Sequence, residues 1–172
     1  MKIPLPSPTR ERGATLVEAV IAVGVLAVAI PLVFGTFVES GKVGMSAEAE
    51  TRSNWIVPAC LAEIDASRAG KPAYFSATSP GQAFPDGNDL WAIGFTAEGR
   101  AVGKVGNSDY EKGTRGSSAD PVRYIATLSA ESDSEPATPG GPLLMRTTIA
   151  VEYPAAAPAE KRERIEFHTR IP

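Results

Sequence analysis

The stretch RGATLVEAVIAVGVLAVAIPLVFGTFV, Arg12 to Val38, decides how this chain is organised. From Ala14 to Val38 it carries one charge, Glu18, among apolar and small residues. A helix rises about 1.5 Å per residue, so a bilayer core of about 30 Å needs about 20 apolar residues. Ala19–Val38 supplies 20 residues without a charge. The apolar region of a secretory signal is only about 7–15 residues, so this run is too long for one. Lys2, Arg10 and Arg12 precede it, against Glu11. The positive-inside rule keeps that end in the cytoplasm and sends the rest of the chain across the membrane. A plain, uncleaved signal anchor accounts for the apolar run but not for Glu18. An acid in a membrane helix costs up to about 2.5–3.5 kcal/mol at the centre and less near an interface, and it usually has a partner.

The residues around Glu18 form a layout. The basic leader ends in Gly13, and Ala14-Thr15-Leu16-Val17-Glu18 follows as small residue, hydroxyl, two aliphatics and acid. This resembles the class III signal of type IV prepilins and pseudopilins. The resemblance covers about the first 30 residues. It implies that a prepilin peptidase cuts between Gly13 and Ala14, and that Ala14 becomes the N-terminus and the N-methylation site. It also implies that Glu18 pairs with the free amine of a neighbouring subunit during assembly. The implied partners are the peptidase, other pilin or pseudopilin subunits and the inner-membrane assembly machinery. The implied location is a single pass of the inner membrane with an extracytoplasmic head. An ammonium and a carboxylate in low dielectric attract strongly, while either alone is penalised. The family usually has an aromatic, most often Phe, where this chain has Ala14, which points to a minor component.

Beyond the apolar run the chain turns polar, then amphipathic. Val57, Cys60, Leu61 and Ile64 recur at i, i+3, i+4 and i+7, a helical stripe. Gly70 followed by Lys71-Pro72 is a stop signal. The expectation is one long, interrupted helix from about Thr15 to Ala69, bent near Pro58. Lys71–Asp89 reads as a loop, and after it the apolar period changes to two. Trp91, Ile93 and Phe95 share a face, TAEGR is a turn with Gly99 suited to a left-handed backbone, and Ala101–Val105 returns. Val122–Ser129 alternates after a loop at Gly106–Asp120. Met145 to Tyr153 alternates most clearly, and Ile165 to Ile171 alternates with charged residues after a turn at Pro154–Ala159. The fold class is therefore α+β: a long N-terminal helix, its first half transmembrane, on a four- to five-stranded antiparallel sheet. This plan resembles the pilin head. The apolar run and GFTAEGRAVG also resemble, more weakly, the prepilin-like Verru_Chthon cassette protein B group. The expected divisions are a leader (1–13), a membrane and assembly helix (14–38), a polar to amphipathic continuation (39–70) and a β-rich head (71–172).

Catalytic chemistry has little support. A formal net charge of −3 advertises no nucleic-acid face. One cysteine, Cys60, excludes an internal disulfide and reads as a small core residue. The one histidine, His168, falls on the charged face of the last strand. Neither residue belongs to a Cys/His metal cluster, and no catalytic residue is assigned. Some pseudopilin heads hold calcium in a loop, so the resemblance makes Ca2+ the one cofactor to test. Its candidate ligands are Asp86, Asn88 and Asp89 of PDGND and Asp109 of GNSDYE. Their spacing does not match an EF-hand loop, and turn chemistry is the favoured reading of these residues. Three functions follow: a filament subunit, an envelope binding module on a plain anchor, and a membrane-tethered hydrolase. The shortage of His and Cys disfavours the hydrolase.

Overall fold

Helix α1 (Leu16–Arg68) starts at a cap and ends at another. The Thr15 hydroxyl accepts the backbone N–H of Glu18 (3.3 Å), and the Glu18 carboxylate accepts the backbone N–H of Thr15 (2.7 Å). This reciprocal pair is a capping box. At the other end Gly70 takes a left-handed φ of 71°. The Lys71 N–H then reaches the Ala66 carbonyl and the Gly70 N–H that of Ser67, which satisfies two otherwise orphaned carbonyls. The computed structural model describes residues 15–79, 82–86, 89–117, 119–132 and 144–171.

The expected interruption of this helix does not occur. α1 runs unbroken through Gly41, Gly44 and Pro58. A proline removes the hydrogen bond to the carbonyl four residues earlier. Here that residue is Asn54, and both Asn54 and Pro58 lie on the exposed face of the helix.

The chain divides into two compact units, Met1–Met45 and Ser46–Pro172. In the first, Leu16–Phe37 is long and apolar enough to cross a bilayer, and none of it is buried within the chain. In the second, α1 buries one stripe: Ala49, Ser53, Ile56, Cys60, Ile64 and Ser67. The spacing of four and three residues is that of one helix face. The expected stripe is centred slightly off this one, since Val57 and Leu61 are only half-buried. Burying Ile56 and Ile64 contributes ~1.5–3 kcal/mol each. Ser53 avoids a penalty by donating to the Ala49 carbonyl (2.8 Å).

Five strands form one antiparallel sheet: β1 (Ala92–Phe95), β2 (Ala101–Lys104), β3 (Tyr124–Ser132), β4 (Met145–Tyr153) and β5 (Glu163–Ile171). Their order is β2-β1-β3-β4-β5. The β1–β2 turn closes at Gly99, whose φ of 83° is the left-handed value expected there. On the core face Tyr124, Leu128, Met145, Ile149 and Val151 are buried. This face meets α1, whose Arg68 donates to the Met145 sulfur. On the outer face Ala92, Val105, Ile125 and Ala155 form a second small core with Leu90, Tyr110 and Val122 beside it.

Two segments expected as loops hold structure. Gly106–Asp120 contains helix α2 (Asn107–Lys112), and the turn after β4 continues into a 3-10 turn at Ala159–Lys161. α2 escapes a sequence reading because Gly106 gives it no side-chain cap and its support is tertiary. The segment 71–89 has no regular element beyond a bridge of Phe84 to Ala130, yet it supplies core aromatics. Phe75 and Phe84 stack on opposite sides of the buried Trp91, each with centroids 4.5 Å away. A buried carboxylate on α1 holds the segment in place: Glu63 accepts the N–H groups of Ala73, Tyr74 and Phe75.

Glu63→Ala would leave those three donors without their acceptor. We expect it to lower the unfolding free energy by about 3 kcal/mol in denaturant titration. The Trp91 fluorescence should move to longer wavelength as its sandwich loosens. Glu63→Gln, which keeps an acceptor, should lose less than half as much.

Candidate functional site

Two regions carry the residues that a function could use. At the start of α1 stands Glu18. Gly13 and Ala14, the expected cleavage and methylation positions, lie outside the described residues. Glu18 occupies the first turn, where the helix dipole favours an anion. Its bond to the Thr15 N–H satisfies it in part within its own chain. The sequence held this signal, Thr15-Leu-Val-Glu18 ahead of an apolar run, and it has the form of a capping box. A carboxylate has about four acceptor positions, so the box leaves it capacity for a cation.

Of the candidate calcium ligands in the second unit, Asp86, Asp89 and Asp109 are among the described residues. Asp86 and Asp89 share a turn in which the Asp89 N–H reaches the Asp86 carbonyl (3.2 Å). Asp109 lies on α2, and Asn88 is outside the described residues. Among the described residues no three His, Cys, Asp or Glu side chains converge to hold a metal ion. Within GNSDYE the chain enters α2 at Asn107.

Cys60 and His168 are also kept apart. Cys60 is fully buried on the core stripe of α1. Burial, reinforced by the charge of Glu63, pushes its thiol up from near 9 to about 12. A thiol in that state is not a nucleophile near neutrality. His168 is exposed on the outer sheet face. Its Nδ1 lies 3.1 Å from the Thr148 hydroxyl across the ladder, and its Nε2 lies 3.5 Å from Glu166. Hydroxyl, imidazole and carboxylate thus form a chain, but it lies open to water on flat strands. Beside it Arg146 and Arg170 face each other directly across β4 and β5. A cavity of about 630 Å3 is lined by Arg146, His168, Thr169 and Arg170. Sequence reading misses this grouping, because only the β4–β5 register brings residues 146 and 170 together.

A third grouping is buried. The Arg162 side chain is 1% exposed and the Glu152 side chain 5%. Arg162 donates to the Glu152 carboxylate (3.1 Å), to the Ala157 carbonyl (2.9 Å) and to the Tyr110 carbonyl. The Tyr110 hydroxyl donates to the other Glu152 oxygen (2.8 Å), and Arg162 lies 4.7 Å from the Tyr110 ring centre. Burial first, then this hydrogen bond to Glu152, raises the Tyr110 phenol to about 12. With every guanidinium nitrogen engaged, the charges are compensated rather than reactive, and the cluster fastens α2 to the sheet.

No family model, no curated protein and no solved structure matches the chain.

The state of Cys60 gives an expected pH dependence. The unfolded thiol ionises near 9 and the folded one near 12, so the unfolded state loses its proton first as pH rises. The contribution of Cys60 is intact below pH 9 and is lost between about pH 9 and 12. Iodoacetamide at pH 8 should leave the folded protein unlabelled and modify it fully in guanidinium. Cys60→Ala should reduce the alkaline fall in melting temperature.

Proposed function

We propose that this chain is a structural subunit, a minor pilin or pseudopilin, of a type IV pilus-like or type II secretion-like filament. One observation carries the reading. Among the described residues the 22-residue apolar segment Leu16–Phe37 meets no partner surface, and the same helix becomes one-faced where it covers an antiparallel sheet. A segment that is apolar on every side needs lipid or other apolar helices around it. A filament subunit uses both in turn, lipid before assembly and sister helices after it. A Cβ at Gly24 or Gly35 would meet nothing within 4 Å, so any use of these glycines for close approach lies with another helix.

In this reading the leader is cut between Gly13 and Ala14 by a prepilin peptidase, and Ala14 carries the new amine. Glu18 holds its own helix start and offers its remaining lone pairs to the Ala14 ammonium of the next subunit. The head is extracytoplasmic, and the protein's action is mechanical. A second reading, an envelope binding module on an uncleaved anchor, draws support from the capping box. That box accounts for Glu18 without any neighbour.

Two substitutions separate the roles of Glu18. Gln at the same position still forms a capping box but carries no charge; Ala does neither. Co-expressed with a prepilin peptidase, the wild-type protein should show Ala14 as its N-terminus by mass spectrometry, and Gly13→Val should keep its leader. Glu18→Gln should be cut and keep its melting temperature, yet enter sheared filaments at least about tenfold less, the loss of one charge-assisted contact. An intact wild-type leader establishes the plain anchor instead. Full incorporation of Glu18→Gln removes the intersubunit pair from the mechanism.

A further inference from the structure

Strand β5 is an edge strand, and among the described residues no strand lies beyond it. Backbone groups along a strand point alternately to its two sides. The Leu128 N–H donates to the Trp91 carbonyl (2.8 Å), so even-numbered residues of β3 face β1 and odd-numbered ones face β4. Carried through the next two registers, the odd-numbered residues of β5 are the ones that bond β4. Arg164, Glu166, His168 and Arg170 therefore aim their N–H and C=O groups away from the sheet.

An edge of that kind is a template for another strand, and proteins blunt it by keeping it short or by placing a proline or bulge in it. β2, the opposite edge, is four residues long, and its pairing with β1 shifts at Gly94/Phe95. β5 is nine residues long, holds no proline and keeps an unbroken register with β4. On its core-facing side Ile165, Phe167 and Ile171 are only half-buried. A continuing sheet would cover that apolar flank as well as satisfy the backbone.

We propose that β5 pairs antiparallel with β5 of a second copy of this chain, about a two-fold axis at His168. The outward side chains choose the register, because like charges directly opposite each other destabilise a ladder. A pairing centred on Phe167 sets Arg164 opposite Arg170. One centred on Glu166 sets that carboxylate opposite its own copy. One centred on His168 pairs Ile165–Ile171 and sets Glu166 opposite Arg170 on both sides of the axis. Ile165 then meets Ile171, and Phe167 meets Thr169. Glu166 and Arg170 also have interactions within their own chain. The attraction therefore comes from the backbone and the apolar flank, and the charges serve to exclude the wrong alignments. The contact is isologous and closed, so it makes a dimer and does not propagate. It is independent of the filament reading, since it uses only residues of the second unit.

The test traps the full chain in non-ionic detergent under mild oxidation, read on a non-reducing gel. Residues of a hydrogen-bonded antiparallel pair have Cα atoms about 5.5 Å apart, within the span of a disulfide. His168→Cys should form a covalent dimer. Glu166→Cys and Arg170→Cys should each stay monomeric alone and cross-link when mixed. The wild type, with its free Cys60 buried, should stay monomeric. His168→Pro removes an N–H that β4 does not use, so it should keep the melting temperature. Added to both members of the mixed pair, it should cut their cross-linked fraction at least about tenfold, as the loss of a hydrogen bond from each copy does. A monomeric His168→Cys overturns the proposal. So does Glu166→Cys cross-linking to itself as fast as His168→Cys, which would mean random collision or another register.

Discussion

An apolar helix surface that its own chain leaves bare is the constraint on which the rest depends. Over Leu16–Phe37 the large side chains are at least 50% exposed. In water this would be an aggregation surface. Further along the same helix, from Ala49 onward, apolar and small residues are confined to one stripe and the sheet covers them. One element thus presents two kinds of surface in sequence. Where burial is all-round the environment must be apolar all round; where it is one-sided, a folded core suffices.

Glu18 stands where the first of those environments begins. A carboxylate there needs a reason to be retained, and the structure supplies a local one in Thr15. The local role does not compete with an intersubunit one. The helix start fixes where the carboxylate points, and a charge held in place costs less to pair than one that must first be ordered. In the proposed filament the same residue would be a cap in the monomer and a counter-ion to the next subunit.

The strands were legible because alternation is a direct imprint of a half-covered sheet. Met145 to Tyr153 and Glu163 to Ile171 need no more than their period to be placed. The left-handed Gly99 and the helix stop at Gly70 were legible for a similar reason, since few residues adopt those backbones. What stayed hidden depends on distant partners. Ser53 and Ser67 join the buried helix face although the apolar stripe of the sequence does not include them, and each hydroxyl finds a backbone carbonyl there. Phe75 and Phe84 lie in a Pro- and Gly-rich stretch whose composition says loop, and only Glu63 and the bridge to Ala130 draw them inward. At the candidate site His168 could be assigned to a polar face, but its neighbours Arg146 and Thr148 required the register between strands.

The outer face shows how the protein covers a sheet with little apolar material. α2 has no buried residues of its own and no side-chain cap. It stays in place because Arg162, Glu152 and Tyr110 satisfy one another under it. A buried ion pair of this kind adds little net stability over an apolar contact, but losing one member leaves the other desolvated and unpaired. The arrangement is thus specific in position without being sticky. The remaining half of the face follows the opposite logic. There Ser129, Glu131, Arg146, His168 and Arg170 stay exposed.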